Sequence, residues 1–409
     1  MSVGRRETAV EVVDGIAKVS RESWNGLVST SDSPFLDWDW LSSMEDSRSA
    51  TRKTGWAPYH LIVRDGAGGL LAACPLYLKS HSQGEFIFDH GWAEAAHNAG
   101  LKYFPKLLVG VPFTPHSGRR FLISDRANRP ATIKILGSAL VSLCRENNLS
   151  SVHVNFCEAD EALILKELGF MERWGYQYHW NNASYLTFDD YLLLLKSKRR
   201  YAVRHELAVL IGQGVEIKAF VGDEIDDSIF EPMFEIYRST IEKLYWGRQY
   251  LTREFFDLMR DRFKRFLCFI CAFRGSELVA ATFNVQKAGV LCGRYWGCFR
   301  DLKFLHFNVC YYAAIDHCIK SGIGRFEPGA GGEYKWLRGF DPALTRSMHY
   351  VAHPGLRTAV DRFLAAERRE VERWIEVGRH QSQLKPMAPS NEEGESPNDS
   401  VGNRDRPRR

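Results

Sequence analysis

The segment at residues 327–338 brings together side chains that could act as a base and as charge-stabilising donors. Glu327 ends a short predicted strand, which opens into a glycine-rich run followed by Glu333, Lys335 and Arg338. A carboxylate can accept a proton from an attacking group, while cationic side chains stabilise developing negative charge. The segment is therefore a candidate active-site loop. The alternative is a set of surface ion pairs on a flexible loop.

One histidine belongs to the same candidate site by its position in the chain. His306 stands at the start of a predicted helix over about 306–320, where its imidazole could act as a base or bind phosphate. Histidine at a helix start is also a common surface residue. The predicted catalytic residues are Glu333, His306 and Glu327.

A second group of polar and aromatic residues occupies the segment 81–129, which is dense in histidine, aromatic and basic residues. A carboxylate, imidazoles and cations in one segment could line a pocket, and the alternative is a long ordered loop satisfied by its own contacts. His116 belongs to this segment. The predicted substrate-binding residues are Asp89, His90, Trp92, Lys106, Thr114, Arg119, Lys335 and Arg338.

A basic helix is predicted from about residue 196 to 211, ending at Gly212 and Gly214. Its cations lie close together, and three of them recur at every fourth position along one face. Contact with phosphates is the natural use of such density, and a solvated basic face is the alternative. The predicted donor- or tRNA-binding residues are Lys196, Lys198, Arg199, Arg200 and Arg204.

The elements that must position these residues form two copies of one pattern. Hairpins are predicted at 60–79 and 268–287, and each is followed by a helix and a strand. At 409 residues the chain is expected to form two domains. We predict an N-terminal domain at 1–187 with an insertion near 81–129, a C-terminal domain at 188–380, and a disordered tail at 381–409, where aliphatic patterning ends.

Composition limits the function classes. Hydrophobic residues make up 45%, and the net charge is only +4, so the chain as a whole shows no demand for nucleic acid or a membrane surface. Nine cysteines, an odd number, favour reduced thiols in a cytoplasmic protein. The CxxC pair at Cys268 and Cys271 lies in a predicted buried strand without a second pair, so we expect no metal site there or elsewhere. Apolar runs are too short for membrane insertion.

Several phrases resemble the Fem-like branch of the GNAT acyltransferase superfamily, whose members are often described as peptidoglycan biosynthesis or recognition proteins. The resemblance covers about residues 20–375. It is carried by DHGWAEAAHNAG, KYFPKL, VPFTPHSGRRFL, SKRRYAVRHE and FEPGAGGEYKWLRGFDP followed by SMHY. It implies an α/β fold with two tandem GNAT-like (acyl-CoA N-acyltransferase fold) domains and mixed sheets. It also implies transfer of an acyl group to an amine.

The resemblance leaves the identity of the acyl donor open between acyl-CoA and aminoacyl-tRNA. GNAT enzymes bind acyl-CoA on a glycine-containing turn before a helix, and residues 300–307 here contain no glycine. We therefore expect no tightly bound cofactor and favour aminoacyl-tRNA as co-substrate. The expected acceptor is a small amine or peptide-like molecule of cell-wall or natural-product biosynthesis. The alternatives are an acyl-CoA-dependent N-acyltransferase and a non-catalytic protein that binds a cell-wall fragment or RNA.

Overall fold

The computed structural model describes residues 9–243, 248–332 and 334–385 of the chain. Glu333, one of the predicted catalytic residues, lies outside the described residues. The predicted tail lies outside them from residue 386 onwards.

Fifteen strands are found in the described residues. In chain order they are β1 (Ala9–Val13), β2 (Trp56–Pro58), β3 (His60–Arg64), β4 (Leu70–Cys74), β5 (Leu76–Lys79), β6 (Lys106–Val109), β7 (Leu122–Ile123), β8 (Ser151–Val154), β9 (Met171–Asn181), β10 (Val215–Val221), β11 (Leu267–Arg274), β12 (Glu277–Lys287), β13 (Val290–Cys298), β14 (Arg325–Glu327) and β15 (Asp341–Val351).

The same residues form thirteen α-helical segments. They are α1 (Arg21–Asn25), α2 (Trp38–Asp46), α3 (His90–Asn98), α4 (Arg129–Glu146), α5 (Ala159–Glu167), α6 (Phe188–Leu194), α7 (Ser197–Gly212), α8 (Asp227–Phe230), α9 (Met233–Glu242), α10 (Arg253–Leu258), α11 (Leu305–Phe307), α12 (Ala313–Lys320) and α13 (Pro354–His380). Two π-helical turns occupy Met259–Phe263 and Asn308–Tyr312.

An eleven-stranded mixed sheet runs through both predicted domains. Its order is β10-β11-β12-β13-β14-β9-β15-β8-β6-β5-β2. Strand β15 comes from the second half of the chain but lies between β8 and β9 of the first half, antiparallel to both. Strand β9 in turn pairs with β14 of the second half. The two halves therefore share a backbone hydrogen-bond network across the predicted boundary at 187/188, which itself stays a prediction.

The long, strongly patterned elements agree with expectation. The predicted hairpin at 268–287 is β11 and β12, and the basic helix is α7. Thr187 caps α6 as its side chain accepts a hydrogen bond from the Asp190 amide at 3.2 Å. The first predicted hairpin is wrong in its second arm. Because Pro75 has no N–H to donate, the arm breaks there, and β4 joins a smaller four-stranded sheet while β5 joins the long one.

Two segments contain structure that the sequence prediction did not include. The segment 81–129 is not a loop alone, since it contains α3, β6 and β7, and β6 pairs with β5 and β8 within the long sheet. The chain also stays packed for five residues beyond position 380. The Lys385 amide donates to the Leu194 carbonyl at 2.8 Å, and the Lys196 amide donates to the Gln383 carbonyl at 3.0 Å.

One helix beside the sheet is interrupted where it meets the candidate site. Segment α11, the π-helical turn at Asn308–Tyr312 and α12 follow one another without a break. A π-helical turn widens the helix by one residue and is frequent at functional sites. This turn carries Cys310 and Tyr311, and both side chains line the cavity described next.

Candidate active site

A cavity of about 380 Å³ lies between β13, the π-helical turn and the glycine-rich loop. Its walls combine aromatic rings with a few polar groups, as is typical of small-molecule sites. The lining residues are Phe86, Phe113, Pro115, Thr282, Asn284, Gly293, Arg294, Tyr295, Trp296, His306, Cys310, Tyr311, Phe326, Pro328, Gly329, Ala330, Gly331, Gly332 and Lys335.

Lys335 is the buried cation of this cavity. Its side chain folds back under the glycine-rich loop, and Nζ donates to the Gly329 carbonyl at 2.6 Å. Gly329, Gly331 and Gly332 all have φ between 71° and 90°, a conformation that glycine adopts without strain, so the loop can turn over the lysine. Burial lowers the pKa of Lys335 to about 8, against the opposing effect of the Cys310 thiol. The ammonium therefore keeps its charge at neutral pH and loses it a little above.

His306 supplies the cavity with a neutral imidazole. Its ring packs on Trp296 at 4.6 Å and on Tyr311 at 5.4 Å between centroids. Burial lowers the pKa of His306 to about 4, and the positive charges of Arg338 and Lys335 act in the same direction. At neutral pH this side chain can accept a proton or a hydrogen bond.

Arg338 does not line the cavity, and its guanidinium is bound by other protein groups. Its Nη2 lies 3.1 Å from Glu206 Oε2, and its Nε donates to the Tyr312 hydroxyl at 2.9 Å. The Tyr312 hydroxyl also bonds to Glu206, and the guanidinium stacks 3.5 Å from the Phe307 ring centre. This cluster fastens α7 to the π-helical turn and to the end of the loop. The predicted role of Arg338 in substrate binding stays a prediction.

Glu327 is also buried and paired away from the cavity. Its carboxylate lies 2.6 Å from His116 Nδ1 and 2.8 Å from Arg325 Nε. Burial alone would raise the pKa of Glu327, but the neighbouring imidazolium of His116 lowers it to about 2. The residues on either side, Phe326 and Pro328, line the cavity. These contacts neither support nor contradict the predicted catalytic role of Glu327, which stays a prediction.

The predicted residues of segment 81–129 separate into different places. Asp89 and Lys106 form a buried ion pair at 2.5 Å beneath α3, and Trp92 packs on His349 at 5.0 Å in the same interior region. His90 is exposed at the start of α3. Three of these four predicted binding residues therefore belong to the packed interior around α3, away from the lining of the cavity.

Thr114 and Arg119 lie closer to open space. Thr114 is buried between two cavity-lining residues, and Arg294 of the cavity lies 3.4 Å from its hydroxyl. Arg119 pairs with Asp32 at 3.1 Å in a second, more polar cavity of about 370 Å³. His116 lines this second cavity as well. Thr114 and Arg119 are thus adjacent to two different cavities.

The predicted basic residues lie at the N-cap and in the first half of α7. Arg204 pairs with Asp189 at 3.3 Å, and Arg200 donates to the Leu193 carbonyl at 3.1 Å. Lys196 and Lys198 are exposed, and Arg199 is half-buried. Helix α7 contacts the candidate site two residues after Arg204, where Asn308 of the π-helical turn donates to the Glu206 carbonyl. The helix therefore connects a cationic surface to the wall of the cavity.

Sequence reasoning missed several residues that line the cavity. Trp296 and Arg294 lie on β13, Asn284 lies on β12, and Cys310 and Tyr311 lie on the π-helical turn. The aromatic residues at 295–296 could have been found, since they end a strand next to the predicted site. Nothing in the amino-acid pattern signals the π-helical turn.

Known structures share this fold at low sequence identity. A crystal structure of the C-terminal domain of a protein designated a lysylphosphatidylglycerol synthetase from Agrobacterium fabrum matches with a TM-score of 0.51, 9% identity and coverage of 85% of this chain and 96% of that one. FemX matches with a TM-score of 0.50 and 12% identity, over 86% of this chain and 100% of that one. A tandem GNAT protein from the clavulanic acid pathway gives 0.47 and 11%, over 85% and 99%.

The predicted α/β fold class with mixed sheets is confirmed, and its division into two tandem GNAT-like domains stays a prediction. The model of the FemAB-like family, described as peptidoglycan biosynthesis/recognition, matches residues 15–386. The chain belongs to this family. No curated protein matches it. Within the parts of the chain that the structure describes, no helix combines the length and apolar character needed to cross a membrane.

Proposed function

We propose that the protein is a cytoplasmic aminoacyltransferase that moves an aminoacyl group from aminoacyl-tRNA to an amine of a peptidoglycan-precursor peptide. The family's description supports the acceptor class. The observation that carries the proposal is the cavity whose lining includes both a buried cation, Lys335, and a neutral imidazole, His306. All nine cysteines are free, as in a reducing compartment.

The two side chains match the two needs of acyl transfer. The amine nitrogen attacks the ester carbonyl, and the carbonyl oxygen acquires negative charge in the tetrahedral intermediate. The Lys335 ammonium can donate to that oxygen, and a preorganised donor in a site shielded from water is worth far more than one in solution. The neutral His306 can accept the proton that the amine loses as the C–N bond forms. The C–O bond to the tRNA ribose then breaks, the carbonyl re-forms, and the proton held by His306 passes to the ribose oxygen, which leaves as a hydroxyl.

The aromatic walls favour an acceptor with an extended, partly apolar body. Rings of Phe113, Tyr295 and Trp296 can pack along a peptide or an aminoacyl side chain, while Asn284 and Arg294 supply polar contacts. A small amine of natural-product biosynthesis would use the same walls. No tightly bound organic cofactor enters this mechanism.

The tRNA donor is supported by the basic first half of α7 and by the turn before α11. A polyanion would contact the exposed cations of α7, which the Arg338 cluster connects to the cavity. The residue before α11 is Phe304, whose φ of 65° and bulky side chain differ from the glycine turn that normally receives a pyrophosphate.

A reconstituted reaction tests the donor and the acceptor separately. Purified protein is mixed with peptidoglycan-precursor peptides, total tRNA, aminoacyl-tRNA synthetases, ATP and labelled amino acids. We expect label in the peptide, and loss of that label after ribonuclease treatment. Transfer from acyl-CoA in the absence of RNA would contradict the tRNA donor. Absence of transfer to any amine with either donor would favour the non-catalytic binding protein.

A further inference from the structure

Three side chains with metal-binding atoms meet at the middle of the long sheet, and His179 lies beside one of them. Cys292 on β13 is the register partner of Glu327 on β14. Continuing the β14–β9 register by one residue brings Glu327 opposite His179. These three side chains therefore stand in a row on neighbouring strands, and His116 reaches them from the loop that follows β6.

The potential ligand atoms converge closely. One oxygen, Sγ or ring nitrogen from each of His116, Cys292 and Glu327 lies within 4.8 Å of the others, and all three residues are buried. His116 Nδ1 lies 2.6 Å from Glu327 Oε2 and 3.8 Å from Cys292 Sγ. His179 Nε2 lies 3.8 Å from the same carboxylate oxygen.

Two of these atoms have ion-pair contacts but no partner in hydrogen-bond geometry. Among the residues that the structure describes, Glu327 Oε2 contacts His116 Nδ1 at 2.6 Å and His179 Nε2 at 3.8 Å, and neither contact has the geometry of a hydrogen bond. The Glu327 side chain is only 6% exposed. A buried acceptor or ring nitrogen without a partner is costly, and an ion bound between them is one of its ordinary explanations.

We propose that His116, Cys292 and Glu327 bind one divalent transition-metal ion, for which zinc fits best. Thiolate, imidazole and carboxylate are the ligand types of zinc, and three protein ligands leave one position of a tetrahedral ion for a water molecule or another group. One thiolate and one carboxylate neutralise the ion's charge. Binding moves His116 Nδ1 and Glu327 Oε2 apart to about 3.3 Å, as ligand bonds of about 2.1 Å require.

The surroundings of the cluster also suit a metal site. Arg325 Nε lies 2.8 Å from the other oxygen of Glu327 and would orient this carboxylate, as partners outside the ligand shell commonly do. Pro115, next to His116, lines the first cavity, and His116 itself lines the second. The ion would hold the 112–119 loop to the sheet and so fix one wall of each cavity.

This site departs from the sequence expectation of no metal, which rested on Cys268 and Cys271. Those two residues point into different hydrophobic clusters on opposite faces of β11, so they cannot share an ion. The cysteine in the new cluster has no CxxC partner. Its partners come from strands and a loop distant in sequence, which explains why the pattern of the chain does not reveal it.

Metal content and cobalt spectroscopy test the proposal without any activity assay. The full chain is purified without added chelator and analysed by mass spectrometry for metals, where we expect about one zinc per chain. The metal-free protein is then titrated with Co²⁺. A thiolate-to-cobalt charge-transfer band, with the intense visible bands of a tetrahedral ion, is the expected result.

Variants identify the ligands. Cys292→Ser should abolish the charge-transfer band, whereas Cys144→Ser, another buried cysteine whose Sγ donates to the Leu149 carbonyl, should keep it. Arg325→Ala should weaken cobalt affinity by about 10–100-fold. Wild-type protein that carries no stoichiometric metal and gives no charge-transfer band would overturn the proposal and leave an ion pair of His116 and Glu327. A band that survives Cys292→Ser would overturn it too. The wild-type spectrum decides even if Cys292→Ser does not fold.

Discussion

At the residue scale, burial sets the protonation states on which the proposed chemistry depends. Lys335 and His306 line one cavity, and burial lowers the pKa of each, to about 8 and about 4. At neutral pH the first is a cationic donor and the second a neutral acceptor. The sequence prediction assigned Lys335 to binding and Glu333 to catalysis. Glu333 lies outside the described residues, so its role as base stays a prediction.

Replacement of Lys335 should reduce turnover more than binding. Since its ammonium is expected to stabilise the oxyanion of the transition state, Lys335→Gln should lower kcat by about 10²–10³ with a smaller change in KM. Lys335 has a folded-state pKa of about 8, lowered from 10.5, so its charge is present below that pH and lost above it. Activity should therefore decline as pH rises through about 8.

The measurement is kcat against pH for the wild type and for Lys335→Gln and Lys335→Arg. The arginine variant keeps its charge at high pH, so any residual activity should lose the alkaline decline. A wild-type profile that stays flat through about 8, or a glutamine variant with normal kcat, would remove Lys335 from the mechanism.

Arg338 should matter for stability because its partners are buried. The Arg338 and Glu206 side chains are 3% and 12% exposed, and removing one partner leaves the other charge without compensation. Arg338→Ala should lower the free energy of unfolding by about 3–5 kcal/mol in urea denaturation. The matched control is Arg300→Ala, whose pair with Glu277 is 60% and 50% exposed, with an expected decrease within about 1 kcal/mol. Equal decreases in the two variants would mean that the Arg338 cluster contributes no more than a surface pair.

At the element scale, the sequence predicted what local patterns encode. Helix α7 ends at Gly212, with Gly214 shortly after, and β11 and β12 are largely apolar strands joined by a tight turn, so each carries its own signals. The position of β15 depends on partners from the other half of the chain. The π-helical turn depends on packing around Cys310 and Tyr311. Neither has a local signature, and both were missed.

In the candidate site, too, only features with a local sequence signal could be recognised from the sequence. The glycine-rich loop was recognised because glycine, lysine and arginine occur together in the chain. In segment 81–129, composition alone suggested a pocket, but Asp89 and Lys106 neutralise each other in the interior. Burial decides between a binding group and a structural pair. Burial also cannot be read from residue types when a segment mixes aromatic and charged residues.

Helix α7 can be tested as a unit through the salt dependence of RNA binding. If Lys198, Arg200 and Arg204 bind phosphates, their replacement by alanine should weaken binding of aminoacyl-tRNA. The slope of log K against log salt should also fall by about 0.7–0.9 for each phosphate that is no longer neutralised. A triple variant of exposed arginines on α13, Arg362, Arg369 and Arg373, removes the same charge elsewhere and serves as the control. If the two triple variants had identical slopes, α7 would affect RNA binding only through its contribution to net charge and not through specific phosphate contacts.

At the scale of the whole molecule, the shared sheet makes the two halves dependent on each other. Strand β15 pairs with β9 over nine registered residue pairs and with β8 over four. Without β15, both strands of the first half would present unpaired edges in the middle of a sheet. The loop that carries Lys335 leads directly into β15, so the packing of the first half also positions the candidate site.

Separate expression of the halves should show this dependence. Residues 1–187 alone lack β15 and should be insoluble or unfolded, because exposed edges of β8 and β9 favour association with other chains. Co-expression with residues 188–409 should yield a soluble complex, since the missing strand is then supplied. The intact chain should unfold in one calorimetric transition whose calorimetric and van't Hoff enthalpies agree. A soluble 1–187 fragment with its own cooperative transition, or two separate transitions in the intact chain, would mean that each half folds without the exchanged strand and that 187/188 is an independent domain boundary.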